Sequence, residues 1–405
     1  MTDVIVIGAG PAGLTAAADL ARRGARVRIV DRDEDAGGVP RYSDHLGYGL
    51  RDLRRVMTGP AYARTLADRA TRAGAALDLR ATVTDLRPNG AGADVEITSP
   101  AGRETVSAVA VLLATGCRER PRAARLVPGD RPSGIYTTGW LQRLVHLDHG
   151  SPGTRAVVVG AEHVSYSAVL TLAEAGCRTV AMVTDADSHE SFSAFDAAAR
   201  LRYRFPLLTR TRVADIHGAD TVTGVTIAHD DGRLGHLDCD VVVFTGDWVP
   251  ESDLAMRGHL TLNRGTRGPS VDTGLRTSAA GIFAAGNVLH PASTADVCAI
   301  DGRGVAAYVE KWLAGDPWPD STAPVITEAP LLWSAPDRVS PGGDAPLRLQ
   351  TQVAVNRPRI TVTQGGRRLW SGRLPWIRPT RPFALPARAT AQAIGSEPLV
   401  VALDS

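Results

Sequence analysis

The sequence predicts an α/β chain made of two nested βαβ-based units followed by a small all-β segment. Three observations predict this. A strand–glycine turn–helix–strand pattern opens the chain at residues 3–31, and a second copy occupies 155–185. From about residue 315, proline becomes frequent and helical periodicity stops. A length of 405 residues also exceeds what one simple core accommodates.

Each element has its own warrant. "DVIVI" (3–7) is a short apolar run ending at glycine, as expected of a parallel strand buried on both faces. "PAGLTAAADLARRG" continues as an Ala/Leu-rich helix that stops at Gly24, and "RVRIVD" is a strand ending in Asp31. Further on, "LADRATRAGA" reads as helix, while "ALDLRATVTDL", "DVEITSP" and "AVAVLLATG" read as strands. The unit at 155–184 is closed by "CDVVVFTGD", after which "GIFAAGN" and a helix resume the first unit. The expected boundaries are 1–117 with 250–315 for a discontinuous first unit, 118–249 for an inserted second, and 325–405 for the β domain. Within the last, "RITVTQGGRRLWSGRL" alternates about Gly365-Gly366 like a hairpin.

Composition removes several functions. With 45 basic against 43 acidic residues, there is no electrostatic case for nucleic acid or an anionic membrane. No apolar run is long enough to span a bilayer, and no charged leader precedes the first strand. A cytoplasmic location is the expectation. Lys311 is the only lysine, in a stretch reading as surface helix, so Schiff-base chemistry is set aside. Cys117, Cys177, Cys239 and Cys298 are scattered without a C-x-x-C. That excludes a local redox disulfide, is a poor framework for an iron–sulfur cluster, and leaves no expected metal site.

The first glycine turn, Gly8-Ala9-Gly10-Pro11-Ala12-Gly13, carries the chemistry. Gly8 permits the tight turn, Gly10 lets backbone approach a pyrophosphate, and Gly13 lets helix and strand pack closely. The helix N-terminus supplies unpaired N–H groups for phosphates. Asp31, about 20 residues on, is placed for ribose hydroxyls, with Arg32 beside it. The unit is therefore Rossmann-like and expected to hold a dinucleotide. The second turn reads Gly160-Ala161-Glu162-His163-Val164-Ser165. Glu162 stands where a pyrophosphate must come close, adding bulk and like charge, and Ser165 replaces the third glycine. The second unit is read as a degenerate NAD(P) domain.

"LLATG" (112–116) and "TSAAGIFAAGN" (277–287), taken with the first turn, resemble the two-dinucleotide-binding-domain flavoproteins, the pyridine-nucleotide-disulfide reductases and related amine dehydrogenases. The resemblance covers about residues 1–315 and implies FAD as cofactor, with Thr115, Gly116 and Gly286 in its binding motifs. The family's ribityl-binding Asp is Asn287 here, which keeps hydrogen-bonding capacity without charge. "GNVLHPASTADVCAIDGRGVAAYV" resembles the family's last FAD helix. There Thr294 reads as a helix cap, Asp296 as a cap or a flavin contact, and His290 as a catalytic group. Where disulfide reductases carry redox cysteines, this chain has "AGGVPRYSDHLGYGLRDL" (36–53). Arg41 there is either a carboxylate clamp or a holder of FAD, and His45 either a base or a loop group.

"GGVPRYSDHLGYGLRDLRRVMTGPAYARTLADRA" and "LLATGCRERPRAARLVPGDRPSGIYTTGWLQRLV" resemble the flavoprotein subunits of hydrogen cyanide synthase, opine oxidase and dye-linked proline dehydrogenase. The resemblance implies hydride removal from carbon next to nitrogen in an amine or amino acid. It also implies electron transfer to an acceptor protein, to oxygen, to a quinone or to a sister subunit. Two other readings stay open at this point. One is an NAD(P)H-dependent flavin reductase whose second turn tolerates Glu162. The other is a non-catalytic FAD-bearing scaffold that docks through Trp333, Trp370 and Trp376.

Overall fold

A computed structural model of the chain describes residues 2–404. The chain separates into two units. One comprises the residues up to Arg41, Gly47–Cys117 and everything from Val249 on; the other comprises Tyr42–Leu46 and Arg118–Trp248.

The first unit is built on a sheet whose order is Ala76–Asp78, Val27–Val30, Thr2–Ile7, Gly102–Leu113, Ala93–Ser99, Thr82–Pro88. Thr2–Ile7 lies parallel to both neighbours, with Val4 opposite Val27 on one side and Ala110 on the other. Gly102–Leu113 is shared lengthwise. Its first half pairs antiparallel with Ala93–Ser99, and Val111, Leu112 and Leu113 pair with Ile282–Ala284. Helix Pro11–Arg22 begins with proline, whose missing N–H costs nothing in a first turn. It packs against helix Ala295–Leu313, and Gly302 makes that approach possible: a methyl group there would lie 2.1 Å from Ala12 O.

The C-terminal strands belong to this same unit. They form a five-stranded sheet in the order Arg338–Val339, Ala323–Thr327, Leu399–Asp404, Arg359–Gln364, Arg367–Arg373. The predicted hairpin turns through Gly365 and Gly366, both at positive φ, the conformation a two-residue loop with inward twist requires. Leu349, Ile360, Val362, Leu385, Leu399 and Val401 make a core of their own. Trp333 and Ala335 instead join the core under the larger sheet. Trp333 is 6% exposed, so it is packing rather than a docking surface; Trp376 is the exposed one of the three.

The second unit has an all-parallel sheet in the order Ile135–Thr137, Val241–Phe244, Arg155–Val159, Arg178–Val183, Leu207–Leu208. Its strands read as unbroken apolar runs because both faces are covered. Ala156 and Val158 face helices through Leu141, Tyr166 and Leu172. Val157 faces an antiparallel sheet of Thr211–His217, Gly224–His229 and Leu234–Asp238 through Val213, Val225 and Ile227. Among the described residues no helix is long and apolar enough to cross a membrane, and no group of three or more His, Cys, Asp or Glu is placed to hold a metal ion.

Candidate functional site

The first glycine turn has the shape its sequence requires. A methyl group on Gly8 would lie 2.4 Å from Ala114 O, and one on Gly13 would lie 2.0 Å from Gly8 O. Both glycines are therefore fixed by contact within the protein. Gly10 differs: a methyl group there meets nothing within 4 Å. The open space lies over the N-terminus of helix Pro11–Arg22, whose cap position carries no side-chain hydrogen bond. That is a seat for an anion. Asp31 sits at the strand end with Oδ2 accepting from Ala9 N (2.6 Å) and Oδ1 from Asp33 N (2.9 Å). Burial pushes its carboxyl up, against the pull of those two N–H groups. Arg32 is exposed beside it.

The remaining FAD-motif residues are pinned by local bonds. Thr115 donates to Glu251 O at 2.7 Å, and Gly116 turns at φ 73° with its carbonyl accepting from Glu251 N. A methyl group on Gly286 would press on Ala12 Cβ at 2.9 Å, so the late strand end reaches the first helix. Asn287 closes the loop after it: Nδ2 donates to Ser293 O and Oδ1 accepts from Ser293 N. Thr294 occupies the cap of helix Ala295–Leu313 but its side chain makes no capping bond. Asp296, buried in that helix's first turn, accepts from Asp52 N at 3.1 Å. Asp52 in turn takes Tyr62 Oη and Arg303 Nη2.

His290 and Arg41 lie in different surroundings from those expected of catalytic groups. His290 is 3% exposed, with Nε2 2.6 Å from Asp301 Oδ2 and Nδ1 2.9 Å from Ser293 Oγ. Asp301 Oδ1 also accepts from Arg348 Nη2 at 2.6 Å. Burial pushes the Asp301 carboxyl up, but His290 and Arg348 outweigh it and hold it below the usual carboxylate range. The triad is a closed tie to the C-terminal strands and leaves neither ring nitrogen facing a substrate. Arg41 donates Nη1 to Asp33 Oδ2 and Asp35 O. Its guanidinium binds the loop that follows Asp31 rather than standing open as a carboxylate clamp would.

In the second unit, Glu162 is folded back over its own turn. Oε2 accepts from Ser165 Oγ at 2.7 Å and Thr245 Oγ1 at 3.0 Å. A methyl group on Gly160 would lie 2.6 Å from Glu162 Oε2, and one on Gly246 would lie 2.6 Å from Oε1. The carboxylate thus fills the concavity at the N-terminus of helix His163–Glu174. Burial pushes its carboxyl up, moderated by the Ser165 and Thr245 hydroxyls and the Arg125 charge. Arg125 spends its N–H groups on Arg120 O, Thr245 O and Gly246 O. Glu119 lies nearby on the chain's other approach to this cluster, 7% exposed, accepting from Gly139 N at 2.8 Å.

Segment Tyr42–Leu46 belongs to this second unit. His45 Nε2 is 3.1 Å from Ser43 Oγ and Nδ1 2.9 Å from Leu46 O. Buried Gln142 donates Nε2 to Ser43 Oγ and to Ser167 Oγ. No disulfide joins any of the four cysteines. Burial pushes the Cys177 and Cys239 thiols up to about 12, well away from the low values of redox-active cysteines.

The family model of the pyridine nucleotide-disulphide oxidoreductases matches residues 2–303. The chain belongs to that family. It is an oxidoreductase, and the open seat over Gly10 with Asp31 at the strand end fits the family's FAD, which is its cofactor. Among curated relatives, an opine oxidase subunit of Agrobacterium tumefaciens (strain Ach5) is 32% identical over 198 residues, covering 46% of this chain and 37% of the relative. The alpha subunit of sarcosine oxidase from Corynebacterium sp. (strain P-1) is 30% identical over 275 residues, covering 62% of this chain and 26% of the relative. The chain therefore spans well under half the length of these relatives. Among solved structures, thioredoxin reductase of T. acidophilum superposes with a TM-score of 0.65 at 23% identity, covering 76% of this chain and 97% of that one. That likeness establishes the fold.

Within the family, this oxidoreductase departs at the two places where reducing equivalents enter or leave a disulfide reductase: the thiol pair and the second glycine turn. Sequence reasoning found both. It missed Glu119, Arg125 and Gln142, whose importance depends on neighbours 20 or more residues away. It also missed Asp301 and Arg348 as the reason His290 is held. An i, i+11 His/Asp spacing on one loop-to-helix segment was the only local signal for that pair.

Proposed function

We propose that this flavoprotein oxidises a C–N bond of a small amine or amino-acid-type molecule by hydride transfer to FAD, and passes the electrons to a separate acceptor. The observation that carries the reading is Glu162. Its carboxylate occupies the place a nicotinamide dinucleotide's pyrophosphate would need, with both bulk and like charge opposing entry. With that entry blocked and no thiol pair available, the reductant is the substrate itself. The names of the opine oxidase and sarcosine oxidase relatives point to substrates whose oxidised carbon adjoins nitrogen. Both names are of subunits, which supports a sister subunit or acceptor protein, with oxygen as the other outlet.

FAD supplies the two-electron acceptor when bound. The protein's own residues supply the rest. Gly8, Gly10, Gly13 and Asp31 hold the dinucleotide end, and Arg41 braces the loop behind Asp31. His45 is the group assigned to take the proton that leaves the amine nitrogen. His290 carries no step, because it is buried against Asp301 and Ser293 whereas His45 is only half-buried.

Anaerobic stopped-flow mixing of the FAD-loaded chain with two panels tests the proposal. Amines, amino acids, opines and secondary amines form one panel; NADH and NADPH form the other. At least one amine is expected to bleach the flavin, and neither nicotinamide should do so faster than a buffer control. Fast bleaching by NADH or NADPH with none by any amine would overturn the reading.

A further inference from the structure

Arg41 is spent on its own loop, so a substrate that carries a carboxylate needs another cation. The first unit gathers cations around Trp376, a ring that is 39% exposed. Residues Arg378-Pro379-Thr380-Arg381 form a tight turn there. Arg381 N donates to Arg378 O at 3.2 Å, and proline stands second, where its fixed φ suits the turn. Gln350 Nε2 donates to Pro379 O and ties the turn to strand Arg348–Thr351.

Both arginines of the turn lie against the Trp376 ring, Arg378 Cζ 5.8 Å from its centroid and Arg381 Cζ 4.9 Å. Their duties differ. Arg378 donates Nη1 to Ile377 O and Nη2 to Asn356 Oδ1, which stiffens the platform. The cation–π contact of Arg381 with the ring takes none of its five N–H groups. Thr380, inside the same turn, has a buried hydroxyl with no hydrogen-bond partner among the described residues.

Arg51 brings a second charge. Its loop is fixed by Asp52, which donates its N–H to Asp296 Oδ1 and accepts from Tyr62 Oη and Arg303 Nη2. Those donors already claim the Asp52 carboxylate, so exposed Arg51 gains no counter-charge from its neighbour in the chain. Burial pulls the Arg381 ionisation down, and the Arg51 charge adds to the pull. Two guanidinium groups that repel each other at a half-buried position cost stability until an anion joins them. Asp296 stands in the first turn of helix Ala295–Leu313, so one peptide link and one hydrogen bond connect Arg51 to the helix that follows the late FAD motif.

We propose that Arg51 and Arg381, backed by Trp376, form the subsite for a substrate carboxylate, so that the amine oxidised is one bearing an acid group. The inference rests on the amine-oxidation reading for the nature of the substrate, and on the arginine cluster for the anion. Guanidinium edges match the planar pair of carboxylate oxygens. A phosphate would call for a nest of backbone N–H groups, and Pro379 and Pro382 deprive this turn of two.

The test titrates the full FAD-loaded chain with propionate, benzoate, their neutral amides and inorganic phosphate, reading tryptophan emission. The carboxylates should change the emission saturably and the amides should not, and Trp376→Phe should remove most of the change. Arg51→Met and Arg381→Met should each weaken carboxylate binding at least about tenfold, as loss of a charge-assisted hydrogen bond does. Arg72→Met, an exposed arginine outside the cluster, should leave it unaltered. Absence of any carboxylate response in the wild type overturns the proposal, as does undiminished binding in the arginine variants. Tighter binding of phosphate, lost in the same variants, overturns the carboxylate assignment. Should Arg381→Met fail to fold, Arg51→Met carries the test, since its side chain is exposed. The amino acid that bleaches the flavin fastest is then compared with its decarboxylated counterpart. The preference for the acid should fall at least about tenfold in Arg51→Met, and an unchanged preference overturns the assignment to substrate. Absence of bleaching by any amine refutes the reaction while the titration still decides the anion site, so the two failures are separable.

Discussion

Glu119 ends the strand Cys117–Glu119 with one oxygen on Gly139 N and the other buried; among the described residues nothing hydrogen-bonds that Oε1. Burial pushes its carboxyl up to about 7, against the Gly139 N–H and the Arg125 charge, and the Glu162 charge adds to the rise. The folded chain therefore binds this proton more tightly than the unfolded chain does. Its stabilising contribution is present below the ordinary value of 4.5 and is lost as pH rises through about 7. Comparing urea unfolding of wild type and Glu119→Gln at pH 5 and pH 8 should show the wild type losing ground by up to roughly 3 kcal/mol at the higher pH. A pH-independent difference between the two proteins would refute this. At the same scale, Arg125 has its guanidinium wrapped by three carbonyls, and burial pulls its ionisation down. A fixed cation beside two buried carboxyls makes the Glu162 arrangement a settled part of the fold and not a loose side chain over a turn.

Two strand–turn–helix elements with the same spacing end in opposite states, and the difference lies in one side chain each. Position 10 has no side chain and leaves open space; position 162 carries a carboxylate that curls into the equivalent space. This yields a contrast between neighbouring glycines. Gly10→Ala is expected to fold normally, because the added methyl meets nothing, but to bind FAD at least about tenfold more weakly as the pyrophosphate is pushed away. Gly13→Ala should not fold to the native level, since its methyl would fall 2.0 Å from Gly8 O. Circular dichroism and FAD titration of the two variants check both statements. The turns, the βαβ units and the hairpin at Gly365-Gly366 were legible in the sequence because each is written in adjacent residues: a glycine spacing, an apolar run, a period of two. What was illegible is written across distance. His290 looks like a free histidine before a proline until Arg348, from a strand near the far end of the chain, is seen to close its carboxylate partner. Arg41 looks like a clamp until Asp33 and Asp35 O are found on its guanidinium. No local pattern distinguishes a buried Gln142 that links two serines from an exposed one on the same helix.

At the level of the whole molecule, the C-terminal strands are fastened to the rest of the first unit at many points, among them the Trp333 side chain in the main core, the bonds of Ser270 to Asp337 and Arg276 to Ser340, and the Arg348–Asp301–His290 tie. Arg348→Met should cost about 3–5 kcal/mol, the penalty for leaving a buried carboxylate short of its cation. Unfolding should nevertheless remain one transition for that unit, with tryptophan fluorescence and flavin release moving together. A separate early step seen only by fluorescence would show that the strands hold on more loosely than this packing implies. A different consequence follows from the strand Gly102–Leu113. Its inner half waits for Ile282–Ala284, and helix Pro11–Arg22 waits for helix Ala295–Leu313. During synthesis the residues that begin the nucleotide-binding sheet leave the ribosome long before their last partners do. Residues 118–248 lie between them and, with Tyr42–Leu46, form a compact unit of their own, so the inserted unit can complete its fold while its host is still an open half-sheet. The order of assembly is therefore inside out, with the guest finished first and the cofactor's cradle closed last.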